Sequence, residues 1–232
     1  MYNYNLDSNE KSLDAYVSQV MRQVFTKMFF AMVVTALSAY MVLSVEAVAR
    51  FIFTNHMVYW GLLIAEIVMV ISLTAALNKL SNVGATLLFY AYSIINGLTL
   101  SCIVLVYTAS SIALTFAITA GVFAVMAVYG YVTKNDLTKF GSFMTMALFG
   151  LVICIVVNMF MHSSTMEWII SFAGVVIFIG LTAWDVQKIK RMAAYSDYSN
   201  AGKLATIGAL SLYLDFVNLF LYLLRFFGNS RD

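Results

Sequence analysis

The chain has 232 residues, 62% of them hydrophobic and 10% charged, with a mean hydropathy of +0.90 and a formal net charge of +2. Soluble globular domains carry about 25% charged residues, so this composition excludes that class and points to an integral membrane protein. A helix needs roughly 20 apolar residues to cross a bilayer. Seven such runs are present, near 28–45, 57–77, 83–107, 110–132, 143–162, 167–185 and 206–227.

These runs predict an all-α fold, a seven-transmembrane-helix bundle, in which 1–24 is a cytoplasmic amphipathic N-terminal segment, 25–228 the transmembrane domain and 229–232 a C-terminal tail. Within the first segment, Leu13, Tyr16, Val17, Val20, Met21 and Val24 fall on one helical stripe. That stripe predicts an interfacial helix leading into the first span, with Arg22 and Lys27 reaching lipid phosphates. The first apolar run is too long for a signal-peptide core and lacks a small-residue cleavage site, so the N-terminus is expected to be retained.

Aromatic residues mark the headgroup level further along: Tyr59 and Trp60 start the second run, Tyr129 and Tyr131 end the fourth, and Trp168 starts the sixth. Prolines number 0, so any helix break must come from glycine or polar residues. Gly97, Gly121, Gly150, Gly174, Gly180 and Gly208 are expected to be close helix contacts. Cys102 and Cys154 lie inside apolar runs and read as packing residues, and His56 and His162 as outer-loop residues. With the N-terminus inside, ten of the 13 basic residues fall on the cytoplasmic side, and Arg50, Arg225 and Arg231 fall outside. This arrangement places a multi-pass protein in the cell (inner) membrane with its C-terminus outside.

Four charges within or at the edge of the apolar runs need explaining: Glu66, Asp185, Asp215 and Arg225. The seventh run places Gly208, Ser211, Asp215, Asn218, Tyr222 and Arg225 at alternating steps of three and four, a polar stripe that must face protein or water. Ser211, Asn218 and Tyr222 either support a path through the bundle or make interhelical hydrogen bonds, and Arg225 reads equally as a snorkelling residue. Asp185 closes the sixth run and Asp215 lies about 14 Å into a seventh helix that starts near Thr206. Both are approached from the cytoplasmic end, where Asp185 could instead pair with Lys188 or Lys190.

"FIGLTAWDVQKIK" at 178–190 and "GALSLYLDFVNLFLYLLRFFG" at 208–228 resemble the paired C-terminal signature of the Bax inhibitor-1 (transmembrane Bax inhibitor motif) family. "VMRQVFTKMFFAMVVTALSAYMV" at 20–42 resembles the family's first span, and "INGLTLSCI" at 95–103 its third. The resemblance implies three helix pairs around a central C-terminal helix. It also implies a pH-sensitive leak for calcium or other cations, in which Asp185 and Asp215 share a proton, and Glu66 matches an acidic position of the family's second helix. No cofactor is expected, calcium being the permeant ion. Some members carry a basic latch at the inner end of the second helix; here "ALNKLSN" offers only Lys79.

As calcium ligands, Asp185 and Asp215 would form a weak transit site, because calcium prefers 6–8 oxygens. A second class is a regulatory protein acting on a membrane-bound AAA protease or a cell-death pathway through its N-terminal segment. No enzyme and no nucleic-acid partner are expected. An intramembrane aspartyl protease would need the Pro-Ala-Leu motif, which a chain with 0 prolines cannot carry, and a retinal protein would need a lysine in the run 206–227.

Overall fold

The computed structural model describes residues 2–75, 80–196 and 200–229, with side chains from residue 12 onward. Its helices are α1 (Tyr2–Ser44), α2 (Glu46–Thr54), α3 (His56–Ala75), α4 (Asn82–Leu100), α5 (Cys102–Val106), α6 (Ala109–Val132), α7 (Thr138–Met161), α8 (Ser164–Tyr195) and α9 (Ala201–Phe227). There is no strand among the described residues. Seven segments are long and apolar enough to cross a membrane, α4 and α5 together forming the third. The chain is an all-α membrane protein.

Several helices overrun the apolar runs that announced them. The sixth run ends at 185, yet α8 continues to Tyr195, because "VQKIKRMAAY" contains neither proline nor glycine and is rich in good helix formers. α9 likewise begins at Ala201 rather than near Thr206. Asp185 is therefore not at a helix end. It stands about 15 Å from the last residue of α8, and Asp215 about 21 Å from the first residue of α9, at a rise of ~1.5 Å per residue.

The chain divides into two compact units. The first comprises residues 1–106 and 192–210, so it holds α1 to α5, the end of α8 and the start of α9. α1 runs unbroken through the predicted interfacial segment. Its stripe of Tyr16, Val17, Val20, Met21 and Val24 is buried and continues into Met28 and Ala31, so it is a protein-facing surface rather than a lipid-lying one. Tyr16 Oη meets Ser196 Oγ at 3.2 Å, and Thr35 Oγ1 donates to the Ser93 carbonyl at 3.0 Å. α1 and α4 are in close contact at Gly97, where a Cβ would come within 2.6 Å of the Ser38 Cβ and overlap the Thr35 carbonyl. Lipid is as apolar as leucine, so such contacts stabilise through close packing and hydrogen bonds rather than through exclusion of water.

The second unit comprises 107–191 and 211–232. Its core joins Met144 and Leu151 of α7, Ile177, Phe178 and Leu181 of α8, and Leu219, Tyr222 and Leu223 of α9. α6 packs on α9 through Phe116 and Phe123, whose rings meet Phe216 edge-on at 5.3 and 5.5 Å. Among the described residues α9 is the most deeply buried span, at 61% of its apolar window against 6% for α3. Two glycines depart from the expectation of close contact. Nothing lies within 4 Å of a Cβ built on Gly121 or Gly150, because both sit on outward faces of α6 and α7.

Candidate functional site

Asp185 and Asp215 both belong to the second unit, on α8 and α9. Asp215 is 5% exposed and Asp185 is half-buried. They lie close enough for the charge of Asp185 to act on Asp215, and the Lys188 ammonium acts on both. Lys188 follows Asp185 by three residues, so the two side chains share one face of α8. Its Nζ stands 4.6 Å over the Trp184 ring. That indole packs so tightly on Gly141 of α7 that any Cβ there would overlap it. Two carboxylates and one ammonium form the electrostatic centre of the unit. One atom in it is unusual: Asp215 Oδ2 is buried without a hydrogen-bond partner among the described residues.

The polar stretch after Asp185 clamps α8 to the connection between α6 and α7. Gln187 accepts from the Leu137 N–H at 2.9 Å and donates to the Asn135 carbonyl at 2.8 Å. Lys190 donates to the Tyr131 carbonyl at 2.8 Å, and Arg191 to Asp136 Oδ1 at 2.7 Å. The Asp136 carboxyl is held down to about 2, chiefly by hydrogen bonds from the Thr138 hydroxyl and backbone N–H, with the Arg191 guanidinium adding to them. This clamp fixes the helix that carries Asp185 and Lys188.

The stripe on α9 divides by role. Tyr222 is a core residue, stacked on Phe178 at 5.9 Å, with its ring 2.7 Å from where a Gly174 Cβ would be. Asn218 donates to the Leu214 carbonyl of its own helix at 2.8 Å and is half-buried, as is Ser211. Arg225 is exposed, 5.7 Å over the Tyr222 ring.

Glu66 makes its contacts within the first unit. It is half-buried on α3 and accepts hydrogen bonds from Thr99 Oγ1 and Asn96 of α4. Tyr59 and Tyr92 lie near enough to feel its charge, and Tyr59 also bonds to the Cys102 thiol. Lys79 falls outside the described residues. Among the described residues no three His, Cys, Asp or Glu side chains converge to hold a metal, so a cation at the aspartate pair would find two carboxylates.

Sequence reasoning noticed Lys188 only as a rival partner for Asp185 and passed over Trp184 and Gln187. It also missed a hydroxyl face on α6, where Ser111, Thr115 and Thr119 recur every four residues and are buried. Thr115 Oγ1 is the other buried side-chain atom without a partner among the described residues. The spacing was readable, but hydroxyls in an apolar run carry no charge to draw attention.

Comparisons with known proteins identify the family to which these residues belong. The chain is 47% identical to the inner membrane protein YbhL of Escherichia coli K12 over 91% of its own length and 92% of the relative's. It is 43% identical to an uncharacterized protein of Borreliella burgdorferi over 97% and 98% of the two chains. A Rickettsia prowazekii protein is 40% identical over 97% and 95%. Residues 17–232, which include both aspartates, the α8 clamp and Glu66, match the family described as "Inhibitor of apoptosis-promoting Bax1". The chain therefore belongs to the Bax inhibitor-1 family of membrane proteins.

Proposed function

We propose that the protein is a pH-sensitive cation leak of the inner membrane, with calcium among its permeant ions, gated by Asp185 and Asp215. The observation that carries this reading is the Asp215 carboxylate, buried at 5% exposure with Oδ2 unpartnered and facing the charges of Asp185 and Lys188. With one shared proton, the two acids and Lys188 sum to zero charge. Releasing that proton leaves one negative charge in a site poor in water, and either a cation or a helix movement must compensate it. Since ~1.4 kcal/mol is a tenfold population change, a modest change in that balance is enough to switch two helix arrangements. Two carboxylates give calcium far fewer than its 6–8 preferred ligands, which suits passage rather than retention.

The distribution of basic residues supports a cytoplasmic N-terminus and α8–α9 connection, with the C-terminus outside. One-sided labelling of cysteines introduced in 1–12 and 229–232 tests this, and equal labelling of both ends from one face overturns it. The test of function is cation flux into proteoliposomes between pH 5 and 8. Asp185→Asn and Asp215→Asn are each expected to flatten the pH profile, whereas a dependence that survives both substitutions places the sensor elsewhere. Truncation of 1–12, the segment on which a protease-regulating role would depend, is expected to leave this flux unchanged.

A further inference from the structure

Lys27 sits on α1 within the first unit, and none of its hydrogen-bond partners is an acid. Its Nζ donates to Thr206 Oγ1 at 2.6 Å, Thr86 Oγ1 at 2.8 Å and the Gly202 carbonyl at 3.2 Å. Both threonines can pass their own protons to helix carbonyls, Thr86 to Asn82 and Thr206 to Gly202, each at 2.9 Å, which leaves their lone pairs for the ammonium. The hydrogen bonds of Lys27 are satisfied, but its charge is not. The ion pairs among the described residues are Arg50–Glu46 and Arg191–Asp136. An ammonium held by neutral oxygens at the edge of hydrocarbon is a costly arrangement that an anion would relieve.

Beside Lys27 opens a groove of about 290 Å³ lined by Lys27, Asn82, Val83, Thr86, Leu87 and Tyr90. Lys27, Asn82 and Thr86 supply its polar groups, but most of its accessible wall is apolar. Val83 and Leu87 in that wall are 68% and 64% exposed and in a bilayer meet acyl chains. Thr86 follows the first residue of α4 by one turn, and Thr206 lies little deeper in α9. At ~1.5 Å per residue the ammonium therefore sits roughly 6–8 Å from the first residues of α4 and α9, a short way into two membrane-spanning segments. The N-terminus of α4, capped by Ser81 Oγ accepting from the Gly84 N–H at 3.0 Å, adds its positive end to the same rim.

We infer that this groove holds the phosphate headgroup of an anionic phospholipid, with Lys27 as its counter-charge and an acyl chain laid over Val83 and Leu87. The longest of the three bonds of Lys27, to Gly202, is the one a phosphate oxygen displaces. The apolar wall argues for a lipid over a free anion, because a free phosphate gains nothing from Val83 and Leu87. The inference is independent of the leak, since it involves neither aspartate.

The test is native mass spectrometry of the full chain after equilibration with equal amounts of dioleoyl phosphatidylglycerol and dioleoyl phosphatidylcholine. The wild type is expected to retain the anionic lipid about fivefold over the zwitterionic one, the size of effect that one basic side chain exerts near an anionic surface. Lys27→Met is expected to abolish the preference. Leu87→Trp fills the apolar wall without touching Lys27, and it is expected to reduce retention with the fold intact by circular dichroism, so the inference remains testable if Lys27→Met fails to fold. Equal retention of both lipids by the wild type, or unchanged retention in Leu87→Trp, overturns it. Release of the bound lipid by millimolar inorganic phosphate also overturns it, by showing a free-anion site.

Discussion

Each unit of the molecule places a carboxylate inside a membrane span, and the two are treated in opposite ways. Glu66 in the first unit accepts from Thr99 and Asn96 and has two tyrosines in its field. Asp215 in the second unit is more deeply buried, yet one of its oxygens has no partner and its nearest charges are another acid and a lysine. A carboxylate with its hydrogen bonds made rigidifies its surroundings, whereas one left unsatisfied is a store of unfavourable energy that a change of charge state or geometry can release. By that logic Glu66 has the contacts of a strut between α3 and α4, and Asp215 those of the trigger that the proposed function requires.

The largest effects should separate these roles by sign. Glu66→Leu removes the acceptor that Thr99 and Asn96 share, leaving the Thr99 hydroxyl only the carbonyls of Ile95 and Asn96 on its own helix, and is expected to destabilise the solubilised protein by about 2 kcal/mol. Asp215→Leu, close in shape, removes an unsatisfied buried oxygen and is expected to leave stability unchanged or raise it by about 1 kcal/mol, while abolishing the pH response of flux. Thermal unfolding in detergent reads both, and a large loss in Asp215→Leu would mean that Asp215 is structural. If Glu66→Leu is neutral for stability and for flux alike, the importance given to Glu66 is misplaced.

A smaller pair of substitutions sharpens the same contrast at hydroxyls. Thr99 donates to Glu66, whereas Thr115 Oγ1 is buried without a partner. The isosteric change Thr99→Val is expected to cost about 1 kcal/mol, typical of an interhelical hydrogen bond in a membrane. Thr115→Val is expected to cost nothing or to stabilise by a similar amount, because it removes only an unmet desolvation penalty. If both substitutions destabilise equally, Thr115 has a partner, and the α6 hydroxyl face is an ordinary packing surface.

The sequence carries the seven spans and the intramembrane charges plainly, because hydropathy and the cost of burying a charge are local properties of the chain. What it hid depended on partners. The stripe from Tyr16 to Val24 looks the same whether it lies on lipid or on protein, and only the fold shows that it is buried, with Tyr16 on Ser196. Gly121 and Gly174 are alike in sequence, yet one meets open space and the other the Tyr222 ring. The sixth apolar run stops before "VQKIKR", and its composition suits polar helix turns and polar loops alike; its clamp on residues 131–138 depends on an element fifty residues away.

The smallest expected effect lies in that clamp and concerns a third carboxylate, Asp136, which is exposed and accepts three hydrogen bonds on Oδ1, where Asp215 is buried with Oδ2 unpartnered among the described residues. Thr138 and Arg191 lower its folded-state value from 3.8 to about 2. The sign is that of a depressed acid: its contribution is fully present above the unfolded value near 3.8 and is lost as pH falls through about 2. Between pH 5 and 8 Asp136 therefore stays ionised and cannot supply the pH dependence assigned to the aspartate pair. Hydrogen exchange of the Thr133–Thr138 connection should be unchanged from pH 8 to pH 5 once corrected for intrinsic rates, and should rise only in strong acid. Asp136→Asn should speed that exchange only modestly at neutral pH, since solvent screens the exposed ion pair with Arg191, and should leave the midpoint of the flux profile where it is. A midpoint that moves in Asp136→Asn would show that the clamp, through Gln187 and Arg191, sets the position of Asp185 closely enough to belong to the trigger itself.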